Sequence, residues 1–113
     1  MHNIKQLSIY TLARENLRSI ALLQKNCQGF GDLTDQMQRA AISVISNIAE
    51  GAGSHTDKQF RRFLSYAKAS NNEIAAQLDI LCDLGRLSDR HQLIDEIDKL
   101  SAMIEMLIRR LSG

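Results

Sequence analysis

The sequence predicts an all-α fold, an antiparallel up-down-up-down four-helix bundle. Three observations predict it: proline is absent, four amphipathic stretches repeat apolar residues every three to four positions, and short glycine- or serine-containing breaks separate them. Aromatic residues make up 4% of the chain and tryptophan is absent, so Leu, Ile and Ala carry most of the apolar content. That mix favours helices over sheet sandwiches, which draw on Val, Thr and aromatics. The 113 residues are expected to form one domain, burying roughly two-thirds of the surface the unfolded chain exposes.

The first helix is expected over about residues 8–27, with Tyr10, Ala13, Leu17, Ile20 and Ala21 as its apolar stripe and Gly29 as its stop. The second spans about 33–50, capped by Asp32 or Thr34 and ended by Gly51, with a core stripe of Met37, Ala40, Ala41, Val44, Ile45 and Ile48. Thr56 and Gln59 form a capping box for the third, about 57–84. Its apolar face runs through Phe60, Phe63, Leu64, Ala67, Ile74, Leu78 and Leu81 to a stop at Gly85. Asn71 falls on that same stripe, either as a buried register-fixing amide or because the helix is rotated enough to wet it. The fourth, about 88–111, starts at Ser88 or Asp89 and carries a heptad seam: Leu93, Ile97, Leu100, Ile104, Leu107 and Leu111.

Short loops make sequential helices antiparallel neighbours. The glycine loops after helices one and three, with Cys27 and Cys82, then share one end of the bundle. Both termini and the loop around His55 share the other. A three-helix bundle and a long hairpin that dimerises are the alternatives.

Fourteen Lys and Arg against thirteen Asp and Glu give a net charge of +1, less basic than a dedicated nucleic-acid binder. The charge is unevenly spread: residues 58–70 sum to +4, and 71–113 to −3. The first residues show no secretory signal and no apolar run approaches the ~20 residues of a membrane span. Two cysteines are too few for a disulfide scaffold or zinc site. A cytoplasmic location, no membrane partner and no cofactor are expected. Catalytic patterns are missing too: no glutamate has a histidine three residues on, His2, His55 and His91 are isolated, and no glycine-rich phosphate loop occurs. No enzymatic activity is expected.

Two surfaces draw attention instead. Away from its core stripe, the second helix carries Arg39, Ser43, Asn47 and Glu50, with no charge between Arg39 and Glu50. The third carries Arg62, Tyr66, Ser70, Glu73, Gln77 and Ile80 on a second contiguous face. Sparsely charged outer faces suit contact with a neighbouring subunit, the alternative being polar pairing inside one bundle, Arg39 with Glu73 for instance. The acid-free basic group Lys58, Arg61, Arg62 and Lys68 suits phosphate contact, the alternative being an ordinary solvated face.

The pattern Arg39-Ala40-x-x-Ser43-x-x-x-Asn47-Ile48-Ala49-Glu50-Gly51, within Leu33–Gly51, resembles a specific family signature. Agreement continues through the run Phe60 to Ser70, then Glu73-Ile74, Gln77-Leu78 and Asp83-Leu84-Gly85. The family is the four-helix bundle group that includes proteins encoded in intervening sequences of bacterial 23S ribosomal RNA genes. The resemblance implies a ring-shaped homopentamer acting as a scaffold of undefined biochemical role. It also implies kinship with the accessory protein of diversity-generating retroelements, which binds nucleic acid and a reverse transcriptase. RNA or other nucleic acid is therefore the second partner expected, after copies of the chain itself.

Overall fold

A computed structural model describes residues 2–4, 7–27 and 29–113; Met1, Lys5, Gln6 and Gln28 lie outside it. Four helices follow one another: α1 (Ser8–Asn26), α2 (Gly31–Ala52), α3 (Asp57–Asp83) and α4 (Gln92–Ser112). They form an antiparallel bundle of 44 × 19 × 19 Å. Each helix packs on two neighbours in the cyclic order α1–α2–α3–α4, and among the described residues no Cα atoms of diagonal helices come within 8 Å. Cross-helix bonds set the directions. Gln24 reaches Asp35 between α1 and α2, Ser43 meets Ser70 between α2 and α3, and Lys68 meets Glu105 between α3 and α4. Asn16 on α1 reaches the Glu96 carbonyl on α4.

The core is a stack of heptad seams. In α3 the buried positions are Phe60, Leu64, Ala67, Asn71, Ile74, Leu78 and Leu81, four and three apart throughout, with Gln77 added at one side. In α4 they are Leu93, Ile97, Leu100 and Ile104, with Leu107 and Leu111 half-buried as the helix leaves the bundle. This spacing keeps one face on its neighbours at crossing angles near 20°.

Helix α1 departs from the expected stripe. Its buried residues are Ile9, Leu12, Ala13, Asn16, Ile20 and Leu23, while Tyr10, Leu17 and Ala21 are half-buried at the margin. The positions 9, 13, 16, 20, 23 and 27 form a full heptad seam. An asparagine at its centre disguises it, and the eye passes to the neighbouring all-apolar diagonal. Asn71 is fully buried and donates from Nδ2 to the Ile97 carbonyl at 2.9 Å and to Ser101 Oγ at 2.8 Å. Two core amides therefore hold α4, one from α1 and one from α3.

The helix ends explain the remaining differences. Gly29 (φ +91°) and Gly85 (φ +71°) both occupy the left-handed region, as their role as stops requires. At Gly85 the Gly85 and Arg86 amides donate to the Cys82 and Leu81 carbonyls, a Schellman closure of α3. Gly51 does not end α2, which continues to Ala52. A Cβ there would lie 2.8 Å from a Phe60 ring carbon, so this glycine serves close packing of α2 on α3. Helix α2 starts at Gly31 without a side-chain cap; the Thr34 hydroxyl is turned inward and donates to the Phe30 and Gly31 carbonyls. Helix α4 starts four residues later than expected. Ser88 Oγ accepts the Arg90 amide in a turn, and His91 Nδ1 accepts the Leu93 amide as the true cap.

The ends of the bundle carry the expected loops. Arg86 stacks over Phe30 at 5.0 Å at the end holding the free thiols Cys27 and Cys82. At the other end the His2 amide donates to the Ala52 carbonyl, and its ring lies 4.9 Å from that of Phe60.

Candidate functional site

The seam between α2 and α3 opens outward as a shallow polar groove. At its centre Ser43 Oγ and Ser70 Oγ are 2.9 Å apart, small enough to let the helices approach. Asn47 Nδ2 donates to the Ser43 carbonyl at 2.9 Å and its hydroxyl at 3.2 Å, so this amide is locked onto its own helix. One concavity is lined by Gln36, Arg39, Ala40, Ser43, Ser70 and Glu73. A second, nearer the α2–α3 loop, is lined by Ser46, Ala49, Glu50, Gly53, Gln59 and Phe63, with Ser54 at its edge.

Most of the polar face expected on these helices is brought together here. Arg39, Glu50, Arg62 and Glu73 are exposed, and Ser43, Asn47 and Ser70 are half-buried along the groove. Arg62 Nε donates to the Tyr66 hydroxyl at 2.7 Å, and its guanidinium sits 5.8 Å from that ring's centre. Phe63 meets Tyr66 edge-on at 6.0 Å. Gln77 leaves the group: it is 5% exposed, turned into the chain's own interior, with Oε1 buried and unpartnered. The internal pairing of Arg39 with Glu73 is also missing. Among the described residues the ion pairs are Lys68–Glu105 at 2.9 Å and Arg109–Glu105 at 3.4 Å, leaving Arg39, Glu50 and Glu73 without one.

Apolar and aromatic residues complete this face, of which the sequence reading left aside Ile42. Ile80 is 45% exposed, Tyr66 44%, and Ile42, on the outward side of α2, 48%. Ile80 lies one heptad beyond Glu73, the spacing by which the sequence groups it with Arg62. These side chains lie exposed on the face that carries charges without an ion-pair partner among the described residues.

The basic group of α3 divides. Lys68 bonds Glu105, and Arg61 Nη1 donates to the Leu111 carbonyl at 2.6 Å, so both brace α4. Lys58 and Arg62 are exposed. A groove between the first turns of α3 and the last turn of α4 is lined by Lys58, Arg61, Arg62 and Ser65, facing Ile108 and Ser112.

No cluster of three or more metal-ligating side chains occurs among the described residues. Burial, and then the carboxylates of Asp79, Asp89 and Asp83, push the Cys82 thiol up, which disfavours the thiolate a nucleophile requires. None of the described helices is long and apolar enough to cross a membrane.

No curated protein matches the sequence significantly. The profile of one family, described as 23S rRNA-intervening sequence protein, matches residues 5–106. That span takes in all of α1, α2 and α3 and most of α4, with the serine-lined seam at its middle. On that match the chain belongs to the 23S rRNA-intervening sequence protein family.

Proposed function

We propose that the chain, folded as one domain, is a non-enzymatic scaffold that assembles with copies of itself through the outer α2–α3 face. The observation that carries this reading is the exposure of Ile80 and Tyr66 on the face of Arg39, Glu50 and Glu73, which have no ion-pair partner among the described residues. Burying that face against a second copy removes apolar surface from water and supplies partners to the charges. Five copies in a ring is the state that the family resemblance suggests. Two unbridged thiols suit a reducing cytoplasmic setting. Light scattering coupled to gel filtration at micromolar concentration tests the reading. A mass several times 12.7 kDa is expected, and a stable monomer overturns it.

A second reading, contact with nucleic acid, is favoured by one observation: Lys58 and Arg62 are exposed in the first turns of α3 with no acidic partner among the described residues. Binding to RNA or DNA that weakens steeply with salt is its expected signature. Absence of binding at low salt removes it.

A further inference from the structure

The α3–α4 hairpin is electrically polarised along its length. The bonds from Asn71 to Ile97 and Ser101 mark its midpoint. On the side of the α3 start and α4 end, residues 57–70 and 101–112 hold six Lys and Arg against two acids. On the other side, residues 71–100 hold seven acids against three Lys and Arg. One of the two acids on the basic side, Glu105, is already clamped between Lys68 and Arg109. The net +1 of the chain conceals this separation.

From these observations we infer that the basic half of the α3–α4 face docks the phosphate backbone of base-paired nucleic acid, with Lys58, Arg62 and Arg109 as the contacts. The inference rests on the second reading above and gives it a place and a residue set. Arg61 and Lys68 act as braces, holding α4 against α3 so that cations from two helices share one surface. Arg109 is 79% exposed at its side chain. Arg62 is pre-oriented: its Nε is engaged by the Tyr66 hydroxyl, which leaves the terminal nitrogens free to grip a phosphate in two-point fashion. Ser65 and Ser112 line the same groove, their hydroxyls donating to the Arg61 and Ile108 carbonyls, so the phosphate contacts fall to the cations. From Lys58 to Lys68 the helix rises about 15 Å, the span of several phosphates along one strand. The groove lining itself has no aromatic ring, and the exposed ring beside it, Tyr66, is already engaged by the Arg62 guanidinium and by Phe63, which favours a duplex over a single strand.

The test compares two variants with the same charge change. Lys58→Ala with Arg109→Ala removes two cations from the basic half; Arg90→Ala with Lys99→Ala removes two from the acidic half. Both are titrated by fluorescence anisotropy against a labelled RNA duplex two helical turns long, with helicity and oligomer mass checked in parallel. The first pair should weaken binding about tenfold or more and reduce the salt slope by about 2, while the second changes neither. Arg62→Lys, which keeps the charge but loses the fork, should weaken binding with the slope unchanged. Equal weakening by both pairs overturns this site and leaves nucleic-acid contact standing. Competition by polyglutamate as effective as by RNA overturns the phosphate assignment. No binding by the unaltered chain at low salt overturns both.

Discussion

At the residue scale, two positions show how little room the core leaves. Gly51 lies inside α2, where alanine would ordinarily gain up to about 1 kcal/mol of helix propensity. Its missing Cβ is matched to Phe60, whose ring is 1% exposed and cannot retreat, and to Phe63 Cβ at 3.1 Å. Overpacking of this kind costs about 1–3 kcal/mol and outweighs the propensity gain. Gly51→Ala should therefore lower the denaturant midpoint with the slope preserved, read by urea unfolding. Asn71 presents the opposite balance. Its two donated bonds hold α4, but Oδ1 is buried with no partner, and leaving such a group unsatisfied costs about 1–3 kcal/mol. Asn71→Leu removes that orphan along with the bonds and should be neutral or stabilising by about 1 kcal/mol, whereas Asn71→Asp should destabilise strongly by burying a charge against the Ile97 carbonyl. Asn71 was legible from the α3 pattern because apolar residues flank it at heptad spacing. Asn16 was not, because a polar residue at the centre of the seam made the adjacent diagonal look more apolar. Gln77 was misplaced for a related reason: its polarity suggested an outward position, and burial of its amide follows from packing that no single-helix projection contains.

At the element scale, α4 depends on polar attachments as well as its heptad seam. Glu105 joins it to α3: the hydrogen bond from Lys68 and then its charge hold the Glu105 carboxyl below its ordinary range, Arg109 adds to this, and burial opposes it. A carboxyl lowered in the folded state contributes stability that is complete above its unfolded value, about 4.3. The contribution is lost as pH falls through the folded value. Lys68→Ala should raise the Glu105 titration midpoint, followed by carboxyl NMR, and flatten the acid side of the stability profile. A carboxyl that titrates identically in the variant would contradict this. The start of α4 rests on His91, and removing that cap by His91→Ala should cost about 1 kcal/mol and speed amide exchange in the first turn. This boundary was hard to read in the chain. Ser88 and Asp89 are the stronger capping types, and only the turn that spends Ser88 on Arg90 shows why the helix waits for His91. The Thr56 cap was legible, since it depends on local chemistry alone: its side chain accepts the Gln59 amide at 3.1 Å.

At the scale of the whole molecule, the bundle buries one face of each helix, and the question is what the second faces are for. The bundle itself was legible in the sequence because four independent periodicities agree with one topology and short loops leave few ways to connect them. The outer α2–α3 face was legible as a run of small and polar residues. Ile80 belonged to that face by its heptad spacing from Glu73, but Ile42 was not legible, since an isolated isoleucine outside a core stripe gives no periodic signal. These residues make the sharpest test of self-assembly. Ile80 is 45% exposed in the single chain, so a polar replacement there should change monomer stability by no more than about 0.5 kcal/mol. If a second copy covers it, Ile80→Glu places a carboxylate in a desolvated contact beside the like charge of Glu73, at a cost of several kcal/mol for each interface. The variant should then elute as a 12.7 kDa monomer with unchanged helicity, and charge reversal at Arg39 should loosen the assembly in the same direction. Reversing Asp98, an exposed charge on α4 far from the seam, should leave the mass unaltered. An assembly that survives Ile80→Glu but falls apart on reversing Asp98 would move the contact to α4, and the charges of the α2–α3 groove would have to answer to water alone.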